Sequence, residues 1–119
     1  MDVHETGESV KTIFTRPKEF KSMIVEIAGD HLKGAEIADI MSNHLKPKKF
    51  TYANVSLESF KSFGFPGAEE LANMFEYFQT GKMNRDIAFT KKLNPTTLNF
   101  NDWMAKNKQD VEKIISNAH

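Results

Sequence analysis

The chain has 119 residues, enough for one domain with a modest core, since a chain of this size buries roughly 65% of the surface its unfolded form exposes. Sixteen basic and sixteen acidic residues cancel and the pI is about 6.9, so no field steers the protein to nucleic acid or to an anionic membrane. Cysteine is absent, which excludes disulfides, thiolate nucleophiles and Cys-ligated zinc and suits a reducing compartment.

The N-terminus, Met1 to Glu8, is polar and acidic, unlike a signal peptide, and no apolar run is long enough to span a bilayer. A cytoplasmic location is therefore expected. Ten Phe, six Met and one Trp suggest a core of large, adaptable side chains.

Thr6 to Thr15 reads as a short helix on Val10, Ile13 and Phe14, with Thr6 as its N-cap and Arg16-Pro17 as its stop. Met23 to Ala28 is rich in β-branched residues before a Gly29-Asp30 turn and reads as a strand. A helix from about Gly34 to Leu45 follows, ended by Lys46-Pro47. Lys46, Lys48 and Lys49 lack aromatic interleaving and read as a solvated loop. Phe50 to Val55 alternates like a second strand.

Ser56 caps a helix that ends near Gly64, and Phe65-Pro66-Gly67 is a turn. Ala68 to Thr80 is the clearest helix, with Leu71, Met74, Phe75 and Phe78 on one stripe and Glu69, Glu70 and Glu76 off it. At this spacing the stripe reads first as core, and otherwise as the wall of an apolar pocket or partner groove. Arg85 to Leu93 is one further short helical segment, and a last helix runs to about Ser116 with Trp103, Asn107, Val111, Ile114 and Ile115 along one side. Two strands separated by a helix cannot form a hairpin. They either lie under helices as a tiny sheet or belong to a larger sheet whose other strands lie outside this sequence.

Chemical motifs are mostly missing. The six glycines never form Gly-x-Gly-x-x-Gly or a P-loop. Tyr52 leads to Ser56 and Tyr77 to Gly81, so the Tyr-x-x-x-Lys dyad is absent. His4, His31, His44 and His119 show no metal-ligand spacing, and no catalytic or metal residue is assigned. His31 beside Asp30 could be an oriented base but reads as a polar loop. His44 suits a helix C-terminus, and the sequon Asn54-Val55-Ser56 reads as chance.

Three segments in order, Phe63-Gly-Phe-Pro-Gly-Ala-Glu-Glu-Leu-Ala-Asn-Met-Phe75, Arg85-Asp86-Ile87, and Leu93-Asn-Pro95 with Leu98-Asn-Phe-Asn-Asp-Trp103, resemble the C-terminal half of NmrA-like proteins. These are atypical short-chain dehydrogenase relatives, and the animal redox-sensor type is the nearest in pattern. Upstream, Asp2-Val3, Gly7 to Val10, Ile27 to Asp30 and Ala35 to Ala38 agree in order, so the resemblance covers nearly all of residues 2–110.

The resemblance implies an α+β fold: a mostly helical lobe with about two short strands, forming the C-terminal part of a Rossmann-type NmrA-like fold without its dinucleotide-binding half. Residues 1–119 would be a single such domain. NADP(H) is the cofactor implied for a full-length protein, but none is expected to be bound by this chain alone. Phe65, Pro66, Gly67, Met74 and Phe75 would face the cleft or a partner, and Trp103 would anchor the final helix. The implied function is a non-catalytic regulatory or binding module related to NADP(H)-sensing redox regulators, and enzyme activity is not expected. The alternative is the substrate-binding lobe of an NADPH-dependent reductase or isomerase of the atypical short-chain dehydrogenase type. The apolar face of the first helix would have packed on the absent sheet, so a protein partner or self-association is expected there, with neither nucleic acid nor membrane involved.

Overall fold

A computed structural model describes residues 1–117 and contains seven helices among them. They are α1 (Val3–Thr15), α2 (Pro17–Phe20), α3 (Gly34–His44), α4 (Leu57–Lys61), α5 (Ala68–Gln79), α6 (Ile87–Leu93) and α7 (Phe100–Asn117). The chain forms two compact units, one made of Met1–Tyr52 with the chain from Arg85 onward, the other of Ala53–Asn84. His119 lies outside the described residues.

The helix starts follow their capping chemistry. Asp2, not Thr6, caps α1: its carboxylate accepts from the His4 N–H while the Glu5 carboxylate accepts from the Asp2 N–H, a reciprocal box that starts the helix three residues earlier than expected. Pro17 ends α1 and opens α2, because a proline at the first helical position lacks only an N–H that would be unpaired anyway. Ser56 caps α4 as expected, its hydroxyl accepting from the Ser59 N–H at 3.1 Å. Asp86 caps α6.

The α+β expectation is overturned: among the described residues there is no strand and no sheet. Residues 23–28 and 50–55 lie outside any helix, as β-branched residues favour. A strand also needs a ladder of backbone partners, and these two segments do not pair with each other. Side chains bind them instead. The Ala28 N–H donates to Thr90 Oγ1 at 2.9 Å, and the Ile27 carbonyl accepts from the Arg85 guanidinium at 3.2 Å. The Phe50 N–H donates to Ser42 Oγ at 2.8 Å.

The expected core of Phe and Met is also not what forms. Among the described residues no phenylalanine is buried; the buried apolar set is Ala38, Leu45, Ala68, Ala72, Leu93 and Met104. Beside it stand five buried polar residues, Glu5, Ser9, Thr90, Asn94 and Thr97. In the larger unit α7 packs on α3, and α1 packs on α2 and α6. Met104 faces inward on α7, whereas Ile114, expected on the packed side, is 69% exposed. In the smaller unit α4 packs on α5. The stripe of Leu71, Met74, Phe75 and Phe78 is exposed there, and Ala68 and Ala72 form the buried side.

Buried hydroxyls thus do what a ladder would have done. Thr90 has no exposed surface and also donates from its hydroxyl to the Asp86 carbonyl at 3.1 Å. Thr90→Val keeps the shape but strands the Ala28 N–H, a cost of about 1–3 kcal/mol. Thr90→Ser keeps the hydroxyl and loses a methyl, about 1 kcal/mol. Urea unfolding should therefore rank valine below serine; a purely packed site would reverse that order.

Candidate functional site

Three carboxylates meet around a pocket of about 230 Å³ in the larger unit, lined by Met1, Asp2, Glu5, Gly29, Asp30 and residues 98–100 with Trp103. Each carboxylate joins a local N–H to a remote one. Asp2 accepts from the His4 N–H at 2.8 Å and from the Trp103 indole N–H at 2.9 Å. Glu5 accepts from the Asp2 N–H at 3.1 Å and from the Leu98 N–H at 2.7 Å. Asp30 accepts from the His31 N–H at 2.8 Å and from the Phe100 N–H at 2.9 Å. All three remote donors lie between residues 98 and 103, at the start of α7.

Local sequence explains the geometry. Asn99 caps α7, its side chain accepting from the Asp102 N–H at 2.8 Å, so the Phe100 N–H is left over and Asp30 takes it. Gly29 is buried, and a Cβ there would stand 3.0 Å from the Leu98 carbonyl oxygen; glycine is what lets the 28–31 loop approach so closely. Phe100 and Trp103 stack at 6.3 Å with their rings 10° apart, which sets the indole edge toward Asp2. Trp103 thus anchors the last helix, to the first turn of α1.

His31 is not a base oriented by Asp30. The Asp30 carboxylate takes the backbone N–H of His31, and the imidazole Nε2 donates to the Arg85 carbonyl at 2.6 Å. His44, in the last turn of α3, donates from Nε2 to Asn101 Oδ1 at 2.9 Å and links α3 to α7. No group of three His, Cys, Asp or Glu among the described residues could hold a metal ion. Lys46, Lys48 and Lys49 are exposed, as expected of a solvated loop.

The site residues expected from sequence belong to the smaller unit. Phe65, Pro66 and Gly67 form the turn before α5, closed by the Ala68 N–H donating to the Phe65 carbonyl at 3.0 Å, with Gly67 at φ +89°. Phe60 of α4, which sequence reading passed over, sits at the centre of an aromatic cluster with Phe63, Phe65 and Phe75 at 5.3–5.8 Å. The spacing Phe60, Phe63, Phe65 was the available signal. Phe65, Met74 and Phe75 keep about two-fifths of their surface exposed.

The dinucleotide implied by the resemblance would present phosphates, which helix N-termini receive when no acid stands in the first turn. Here Asp2 and Glu5 occupy the start of α1, Glu36 that of α3, Glu69 and Glu70 that of α5, and Asp102 with Asp30 that of α7. These residues do not fit a dinucleotide's phosphates.

The Trp103 indole N–H, and after it the His4 backbone N–H, hold the Asp2 carboxyl below the usual aspartate range. A depressed folded-state pKa contributes stability that is present above the unfolded pKa and is lost as pH falls through the folded value. Trp103 is the sole tryptophan, so its emission reports this contact directly. On acidification it should hold constant until below the ordinary aspartate pKa and then change. Asp2→Asn should show the changed emission already at neutral pH.

Asp2, residues 29–30 and residues 98–103 of this junction lie in segments that carried the resemblance; Glu5 does not. The NmrA-like family, whose members generally bind NAD(P), matches residues 1–106 of the 119, and no helix of the described residues is long and apolar enough to cross a membrane. The chain belongs to the NmrA-like family.

Proposed function

We propose that this chain is a non-catalytic regulatory or binding module of the NmrA-like type, related to NADP(H)-sensing redox regulators and acting by contact with another protein. The observation that carries this reading is the engagement of the carboxylates. Asp2, Glu5 and Asp30 each have both oxygens bonded to N–H groups of the chain itself, so groups suited to proton transfer serve as fasteners. The acids in the first helical turns add to it, since they oppose the approach of cofactor phosphates. The part-exposed Phe65, Met74 and Phe75, beside the Pro66-Gly67 turn, supply the aromatic and sulfur surface that protein interfaces favour.

That same surface supports a second reading, the substrate-binding lobe of an NADPH-dependent reductase or isomerase of the atypical short-chain dehydrogenase type, because ligand pockets are lined mostly by apolar side chains. The two readings separate on cofactor response. Titration of NADPH into the isotopically labelled chain, followed by amide NMR, should leave a dispersed spectrum without saturable shifts. Saturable shifts around residues 65–78 would overturn the first reading and favour the second.

A further inference from the structure

The basic cluster of Lys46, Lys48 and Lys49 takes no part in the junction at the start of α7, and its charge is uncompensated. All three side chains are exposed. Among the described residues none of them stands within ion-pair distance of a carboxylate. Glu112 lines a cleft with Lys46 and Lys48, yet its carboxylate pairs with Lys108 instead, at 3.7 Å. Like charges packed this closely repel one another and favour the approach of an acidic surface.

The chain that leaves the cluster is exposed and loosely tied. Residues 49–55 lie outside any helix, and among the described residues only Phe50 makes hydrogen bonds there. Its N–H donates to Ser42 Oγ at 2.8 Å, and its carbonyl lies 3.2 Å from the same hydroxyl. Tyr52 rests on Gly34 but keeps 57% of its surface exposed. With one hydroxyl holding the backbone, drawing the segment out as an extended strand is a local opening of low cost.

Thr51 lies in that segment, exposed, and its hydroxyl makes none of these bonds. Lysines stand two, three and five residues before it. No other serine or threonine of the sequence has basic residues at both the second and the third preceding positions. Kinases discriminate their substrates by such charge patterns, and a basophilic kinase meets these lysines with acidic side chains of its own.

We propose that Thr51 is a phosphorylation site for a basophilic serine/threonine kinase, recognised through Lys48 and Lys49. The Thr51 hydroxyl gives its proton to the kinase's catalytic aspartate, and Oγ1 bonds to the γ-phosphorus of ATP. The bond from that phosphorus to the β–γ bridging oxygen breaks, and ADP leaves. The product places about −1.5 to −2 charges beside three ammonium groups, which takes the cluster from about +3 to about +1.

The test is to incubate the whole folded chain with labelled ATP and the catalytic fragment of protein kinase C, then map the label by peptide mass. One phosphate should appear, on Thr51. Thr51→Ala should abolish it and Thr51→Ser should restore it. Lys48→Ala/Lys49→Ala should lower kcat/KM at least about tenfold, with circular dichroism unchanged because both side chains are exposed. Incorporation no greater than in Thr51→Ala, label on another residue such as Ser22 or Ser116, or a rate indifferent to loss of the two lysines would overturn the proposal.

Discussion

The start of α7 is where the larger unit is tied together, and the tie is polar. Three carboxylates from two distant stretches of chain, 2–5 and 30, converge on N–H groups of residues 98, 100 and 103. Each bond contributes about 1 kcal/mol net, somewhat more where the acceptor is charged. With so few apolar side chains fully buried, directional bonds of this kind carry a large share of what selects one structure. Their positions decide the rest: fixing residue 100 starts α7, which packs on α3 and buries Met104.

The same arrangement accounts for the orientation of α1. Glu5 reaches Leu98 only if the polar side of the helix faces the chain, and Thr12 and Asn94 extend that contact. The apolar side is left exposed as a consequence. Carboxylates used in this way are poor candidates for proton transfer, and first-turn acids are poor hosts for phosphate.

Much of the helical content was legible because its signals are local. Ser56 before Leu57, the turn Phe65-Pro66-Gly67 before Ala68, and Leu93 before Asn94-Pro95 mark boundaries that need no tertiary information. The Asp2–Glu5 box was equally local and was missed because the apolar periodicity starts later, at Val10. The two strands failed for a different reason. β-Branched content reports a preference for extended backbone, whereas a strand requires a partner, and Thr90, Arg85 and Ser42 took the bonds a partner would have made. The stripe at Leu71 to Phe78 was legible as a helix face, but periodicity does not say whether such a face is covered. The junction itself was out of reach, since bonds spanning up to 101 residues leave no trace in spacing.

Native-state hydrogen exchange tests the junction most directly, because Leu98 precedes α7 and Phe100 is its first residue, so neither N–H can bond within the helix. If Glu5 and Asp30 hold them, both amides exchange as slowly as interior amides of α7, and Glu5→Ala releases Leu98 while Phe100 stays protected. Free exchange at both positions in the unaltered chain would contradict the account.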